Sequence, residues 1–352
     1  MDVVSDAISA VRIGRPSSDR FRIGGSWCTR LASYEGAGFH VVLKGSCWLL
    51  PDGGSPVSLG PGDAVLLPHG TGHVIADAPA DTAAVARAVP FDRWAGTPRA
   101  LPPHAPAAHD EVEVLCGKYR LDSRRAHPLL AELPAVVHLP ARVGGGGGGG
   151  GELRAAIGLL GSELDAHRPG TALALPHLLD LLLVYMIRSW IAENAAANAA
   201  DNAAGSTGTW PAALNDPVTA AALRAVHADP AAPWSNDRLA AAAGVSRPTL
   251  ARRFTALTGR PPMTYLTWWR LTLAATFLRT TEDTLAAIAH RVGYGSPYAL
   301  SHAFHREFGT TPGRYRAQAA AAAIASPTAG GREGVDPVTL RAGDVPDRGG
   351  RR

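Results

Sequence analysis

Only three cysteines (Cys28, Cys47 and Cys116) occur in 352 residues. They are odd in number and far apart, which excludes a disulfide framework and a cysteine-clustered metal site. Long apolar runs are also missing. The best stretch, residues 172–191, is broken by Pro176, His177, Asp180 and Arg188, so no membrane span is expected. No basic-then-apolar leader is visible near Asp2 and Asp6, and a cytoplasmic location is expected. A hydrophobic content of 46% excludes disorder for most of the chain, and the length allows two or three domains.

Lysine is absent from residues 210–316, yet positive charge is concentrated there. That segment carries 12 Arg and 6 acidic residues, a net +6, against 22 basic and 24 acidic residues, a net −2, in the remainder. A basic domain of this kind most often serves nucleic acid.

The same segment contains a duplication. Ser246, Leu250, Phe254, Gly259, Pro262 and Tyr265 recur 50 residues later as Ser296, Leu300, Phe304, Gly309, Pro312 and Tyr315. Each copy reads as helix, glycine turn, serine cap and second helix, with residues 239–243 before Gly244 and residues 288–292 before Gly293. That is a helix-turn-helix pattern. Glycine permits the tight turn, Ser246 and Ser296 cap the next helix, and Pro248 and Pro297 sit where a missing N–H is harmless. Leu250, Phe254 and Leu257 fall at helical spacing on one buried face, as do Leu300, Phe304 and Phe308. The opposite faces present Arg247, Ala251 and Arg252 in the first copy and Tyr298, Ser301, His302 and His305 in the second. A helix over residues 263–278, roughly 24 Å long, separates the copies. It could set two recognition helices in successive major grooves, about 34 Å apart.

Trp234, Leu239-Ala240, Gly244-Val245-Ser246, Arg252-Arg253-Phe254, Gly259, Pro262-Met263, Trp269-Arg270, Val292-Gly293-Tyr294, Phe308-Gly309, Pro312 and Tyr315-Arg316 resemble, at fixed spacing, the AraC/XylS-family DNA-binding domain. The resemblance spans residues 216–316 and implies seven helices, two helix-turn-helix units on one face of double-stranded DNA, and RNA polymerase as a further partner. By motif position it draws base readers from Arg247, Ala251, Arg252, Tyr298, Ser301 and His302. Arg252 is the first choice, since an arginine can bond guanine O6 and N7 bidentately. Ala251 offers a base edge no hydrogen bond. Arg253 reads as a brace beside Phe254, and Arg291 and Arg306 as phosphate contacts or solvated charges.

The N-terminal block has strand-like pieces at residues 39–43, 47–50, 64–67, 73–76, 83–89, 112–116 and 136–139, separated by turn signals such as Asp52-Gly53-Gly54 and Pro61-Gly62-Asp63. This reads as a small all-β sandwich or barrel. Residues 62–77, with Gly62, Pro68, Gly70, His73 and Asp77, resemble the second motif of cupin barrels, and residues 39–49 extend the likeness. The whole is similar to the AraC-family subgroup with an N-terminal cupin-like sensor. The fold expected is two-domain α+β: a cupin-like β-barrel with a helical hairpin, then an all-α domain with two helix-turn-helix motifs. The segmentation expected is sensor 1–143, glycine linker 144–151, helical hairpin 152–194, linker 195–215, DNA-binding domain 216–325 and a disordered tail 326–352.

The metal ligands of catalytic cupins are missing. Gly38 stands where an acid is expected and no His-x-His precedes it. His40, His69 and His73 with Cys47 could assemble a soft-metal site, but buried, hydrogen-bonded histidines are the commoner outcome. No metal, no cofactor and no catalysis are therefore expected. A barrel of this size can hold one small organic effector. Cys28, Cys47 and Cys116 could sense oxidants, provided one is exposed and ionises readily; the other reading makes them ordinary core residues. The function expected is a transcription regulator answering a small-molecule or redox signal. The alternatives are a metal-dependent cupin enzyme fused to a DNA-binding domain, and a methyl-accepting repair protein, which scattered cysteines do not suit. The apolar hairpin at 152–192 would pack on the β domain or form a homodimer.

Overall fold

In the computed structural model, the described residues are 2–13, 16–25, 27–79, 85–86, 88–91, 111–121, 127–141, 150–165, 169–201, 209–325 and 338–341. They fall into two compact units that interleave along the chain. One comprises Ile13–Ser123, Leu133–Trp190 and Gly331–Arg352; the other comprises Met1–Arg12, Arg124–Glu132 and Ile191–Gly330. The segmentation expected from composition is contiguous, so it does not anticipate this exchange of segments.

The β unit holds two sheets. Strands β1 (Ser17–Gly24), β3 (Ala37–Lys44), β6 (Ala64–Leu67), β9 (Val112–Tyr119), β10 (Val137–Leu139) and β11 (Val338–Arg341) form the first, in the order β10-β6-β3-β9-β1-β11. Strands β2 (Cys28–Leu31), β4 (Cys47–Pro51), β5 (Val57–Leu59), β7 (His73–Ala76) and β8 (Val89–Pro90) form the second, in the order β5-β4-β7-β2-β8. One apolar cluster draws on both sheets, with Phe21, Val42, Leu67 and Val114 from the first and Cys47, Leu49, Leu59 and Ile75 from the second. Strand β4 alternates, burying Cys47, Leu49 and Pro51 with Trp48 and Leu50 less covered, as a half-buried strand should. Strands β6 and β7 are buried throughout. Buried Glu113 on β9 is met by Arg20 and Arg22 on β1, which offsets the cost of burying its charge.

Some elements differ from expectation. β1, β2 and β5 were not read from the sequence, and β11 lies within the tail expected to be disordered. The strand expected at 83–89 falls partly outside the described residues, and β8 begins only at Val89. The glycine run 144–151 likewise lies mostly outside them, but its last two residues open a helix over Gly150–Asp165. A following helix over Thr171–Asp201 carries Pro176 inside it and continues past the expected boundary. By length and composition, Thr171–Asn194 alone among described helices could cross a membrane.

The helical unit begins with α1 (Val3–Val11), capped by Asp2, whose carboxylate accepts from the Ser5 N–H at 2.9 Å. A short helix, α2 (Pro128–Ala131), follows from the second inserted segment. With the hairpin helices counted as α3 (Gly150–Asp165) and α4 (Thr171–Asp201), the rest of the unit is α5 (Trp210–Asn215), α6 (Pro217–Ala228), α7 (Asn236–Ala242), α8 (Arg247–Thr258), α9 (Pro262–Thr280), α10 (Leu285–Arg291), α11 (Pro297–Phe308) and α12 (Pro312–Ala325). α1 packs on α9: the Ala10 carbonyl accepts from Thr276 Oγ1 at 3.1 Å and Arg279 Nη2 at 2.7 Å. These donors satisfy an end carbonyl that α1 itself leaves open.

Candidate nucleic-acid interface

The duplication read from the sequence is a structural one. Helices α7 and α8 form the first helix-turn-helix, α10 and α11 the second. Ser246 Oγ accepts from the Thr249 N–H at 3.4 Å, and Ser296 Oγ from the Ala299 N–H at 3.1 Å. Gly244 and Gly293 take φ of +67° and +81° at the turns, the left-handed region in which glycine meets no steric cost. Gly259 and Gly309 end α8 and α11 in the same region and donate to Thr255 and His305 carbonyls. Leu250, Phe254, Leu300 and Phe304 are fully buried, so each recognition helix is held by one face. The spacer α9 is 19 residues long, hence about 28 Å.

The outward faces carry the residues expected to read bases. Arg247 and Arg252 are exposed, Ala251 is half-buried, and among the described residues neither arginine has an ion-pair partner. Tyr298 is 80% exposed, His302 is exposed and Ser301 half-buried. Arg253 differs from its neighbour, since its Nη1 pairs with Asp216 Oδ2 at 3.4 Å. Arg291 is also tied down, with Asp283 at 3.2 Å and the Phe277 ring 4.0 Å beneath its guanidinium.

In the β unit the expected histidine cluster assembles only in part. Strand pairing sets His40 opposite Cys116, and β7 brings His73 to the other side of the His40 ring. His73 Nδ1 lies 2.8 Å from the Thr71 carbonyl and must carry a hydrogen there. Its Nε2 then accepts from His40 Nε2–H at 2.8 Å, and His40 Nδ1 accepts the Cys116 thiol proton at 2.9 Å. The result is a directed chain from thiol to backbone carbonyl. Burial holds both imidazoles neutral, lowering His40 well below the usual histidine range, with His73 adding to it, and lowering His73 as well. His69 is elsewhere, its Nε2 donating to the Leu133 carbonyl at 2.7 Å. Among the described residues no three His, Cys, Asp or Glu side chains converge on a metal position.

All three cysteines are free thiols. Burial, followed by Asp63, pushes Cys47 up to about 12. Burial, then Cys47 and Asp19, raises Cys116 well above the ordinary thiol range, and burial with Asp77 raises Cys28. None is poised as a thiolate, the form that reacts readily with oxidants.

A second buried chain, invisible in the sequence, runs through the helical unit. The Leu129 N–H donates to His127 Nδ1 at 3.1 Å, so His127 Nε2–H donates to Tyr265 Oη at 3.0 Å. The Tyr265 hydroxyl donates to His227 Nε2 at 2.7 Å, and His227 Nδ1–H donates to Asp6 at 2.8 Å. Residues separated by up to 221 positions are thereby joined.

Residues 2–192 match the cupin family and residues 239–318 a helix-turn-helix domain family. An AraC-like transcription regulator of Streptomyces lividans is 36% identical over 319 residues, covering 90% of this chain and 98% of its own. One from Streptomyces antibioticus is 35% identical over 318 residues, with the same two coverages. The RCS-specific HTH-type transcriptional activator RclR of Escherichia coli K12 is 27% identical over 278 residues, covering 79% of this chain and 83% of its own.

Proposed function

From the chain's membership of the AraC-like transcription regulators, with a cupin domain ahead of its helix-turn-helix domain, we infer that α8 and α11 read base edges in two major grooves and that the barrel receives the controlling signal. One observation carries the first part: the exposed arginines of α8, Arg247 and Arg252, are uncommitted, whereas Arg253 and Arg291 are already spent on Asp216 and Asp283. Arg252 and Arg247 read guanine, Ala251 packs on a thymine methyl, and Tyr298, Ser301 and His302 serve the second half-site. Footprinting the full chain on duplexes selected from a random pool tests this. Arg252→Ala should weaken binding and relax one base position, at about 1–3 kcal/mol. An equal loss on every sequence would make Arg252 a phosphate contact instead.

The signal is a small molecule or an oxidant. If the signal is an oxidant, it acts at Cys116, where His40 Nδ1 lies 2.9 Å from the sulfur, and in a transiently opened state of the β unit, because burial keeps the native thiol protonated. Oxidation of Cys116 by a peroxide to the sulfenic acid, with water as the other product, would put an oxygen between the sulfur and His40 Nδ1, now 2.9 Å apart, and so displace both rings. Cys116→Ser, which keeps a donor, should abolish an oxidant response and leave basal DNA binding intact; Cys28→Ser and Cys47→Ser should not. The chain acts without catalysis, in the cytoplasm, beside RNA polymerase. It does so as a homodimer through the hairpin helices, whose Leu159, Leu173 and Leu181 are 60%, 70% and 45% exposed. Sedimentation of a variant with these three leucines changed to Gln should yield a monomer.

A further inference from the structure

Sharing a spacer helix does not by itself lock two helix-turn-helix units into one geometry. A second connection exists between them. Arg270, on α9, donates from Nε to the Pro230 carbonyl at 2.7 Å and from Nη2 to the Ala232 carbonyl at 2.8 Å. Those carbonyls belong to the loop that leads into α7, the support helix of the first unit. The loop is stiff: Asp229 Oδ1 accepts from the Ala231 and Ala232 N–H groups, the Asp229 carbonyl accepts from Trp234 Nε1 at 2.7 Å, and Arg238 of α7 donates to the Pro233 carbonyl.

The same loop lies against the turn of the second unit. A Cβ on Gly293 would come within 2.8 Å of Ala231 Cα and of Arg270 Nη2, and within 2.9 Å of the Ala231 carbonyl oxygen. Its counterpart Gly244, at the same place in the first unit, has nothing within 4 Å of a Cβ. The duplication therefore breaks here. A glycine needed only for its turn would be open, as Gly244 is; Gly293 is also a seat for the neighbouring backbone. Arg270 has no repeat either, since Ala320 stands 50 residues on.

We propose that Arg270 is the positioning residue of the DNA reader: by clamping the 230–232 backbone against Gly293, it fixes the angle and separation of α8 and α11, and so the half-site spacing that the protein accepts. The proposal rests on the reading of α8 and α11 as recognition helices. One added base pair moves a half-site by about 3.4 Å and turns it by about 35°, which a stiff joint resists and a loosened one tolerates.

The test uses full-length chain and duplexes selected by the wild type from a random pool. Their two protected half-sites are then moved apart or together by one and two base pairs, or one half-site is scrambled. The wild type should prefer its selected spacing by about tenfold, equivalent to about 1.4 kcal/mol. Arg270→Lys, which keeps the charge but loses the fork, and Gly293→Ala should each reduce that preference to below about threefold, with single-half-site affinity changed less than about twofold. Gly244→Ala, strained at its own turn but touching no neighbour, should keep the wild-type preference. The proposal fails if Arg270→Lys and Gly293→Ala retain the spacing preference, or weaken every duplex alike. A wild-type chain that binds the scrambled duplexes as well as the selected ones would overturn the reading of α8 and α11 itself.

Discussion

Tyr265→Phe is the sharpest probe of the helical unit, because it deletes one oxygen and keeps the ring. That oxygen accepts from His127 and donates to His227. All three side chains are buried, so water cannot replace what is lost. An unmet buried donor or acceptor costs about 1–3 kcal/mol. His127 Nε2–H and His227 Nε2 would both be unmet, less the small gain from no longer burying a hydroxyl, for a net of about 3 kcal/mol. The unit has about 160 residues, for which each kcal/mol moves the midpoint by roughly 2–4 °C. Its thermal transition should therefore fall by roughly 6–12 °C. The duplication supplies a control: Tyr315, the counterpart of Tyr265, is 8% exposed and meets Arg279 Nη1 at 3.2 Å, a guanidinium that also bonds the Ala10 carbonyl and Thr276, and Tyr315→Phe should cost about 1 kcal/mol. Calorimetry that found the two variants equally stable, or Tyr265→Phe within 1 °C of wild type, would refute the idea that this hydrogen-bond chain holds the segments together.

Ser246→Ala and Ser296→Ala each remove a helix cap and should each cost about 1 kcal/mol by urea titration, adding nearly linearly across the two units. The β unit should lose stability as pH falls below 6.5. There the unfolded chain protonates His40 and His73 while burial keeps the folded imidazoles neutral. The slope should approach ~1.4 kcal/mol per pH unit per histidine, and His40→Gln should reduce it. Alkylation by iodoacetamide at pH 8 should be slow at Cys47 and Cys116 and accelerate only on unfolding, since burial holds both thiols protonated; fast labelling of Cys116 in the native chain would contradict the burial argument.

The recognition units were legible because their signals are local. A serine cap, a first-turn proline, apolar residues at helical spacing and a terminal glycine all act within one or two turns, and all recur 50 residues on. The central strands were legible as apolar runs bounded by turns. β1 was not, because its sequence reads SSDRFRIG: two arginines that look solvent-facing are in fact the partners of Glu113, 91 and 93 residues away. α1 was missed for a similar reason. Its apolar residues Val3, Ala7, Ile8 and Ala10 are buried, but nothing nearby in sequence indicates what covers them. The sequence groups His40 with His69, His73 and Cys47, and Cys116 with the other two cysteines; only strand register puts His40 and Cys116 opposite one another. Arg270 stands in a recognisable Trp269-Arg270 motif, yet its role depends on a loop 38–40 residues upstream.

The interleaving of the two units sets the order of events during synthesis against the order of assembly. α1 leaves the ribosome before the other elements described, yet the groups that cap its Ala10 carbonyl, Thr276 and Arg279, lie 266 and 269 residues further on. At about 5–20 residues per second that is a wait of roughly 13–54 s. Throughout it, an apolar helical face has no final partner, and the strands threaded between must pair without trapping it. A nascent chain stalled before α9 could finish much of its barrel and own one helix-turn-helix unit without the spacer or the second unit, so competence to act at two half-sites arrives only once α9, α10 and α11 have been made.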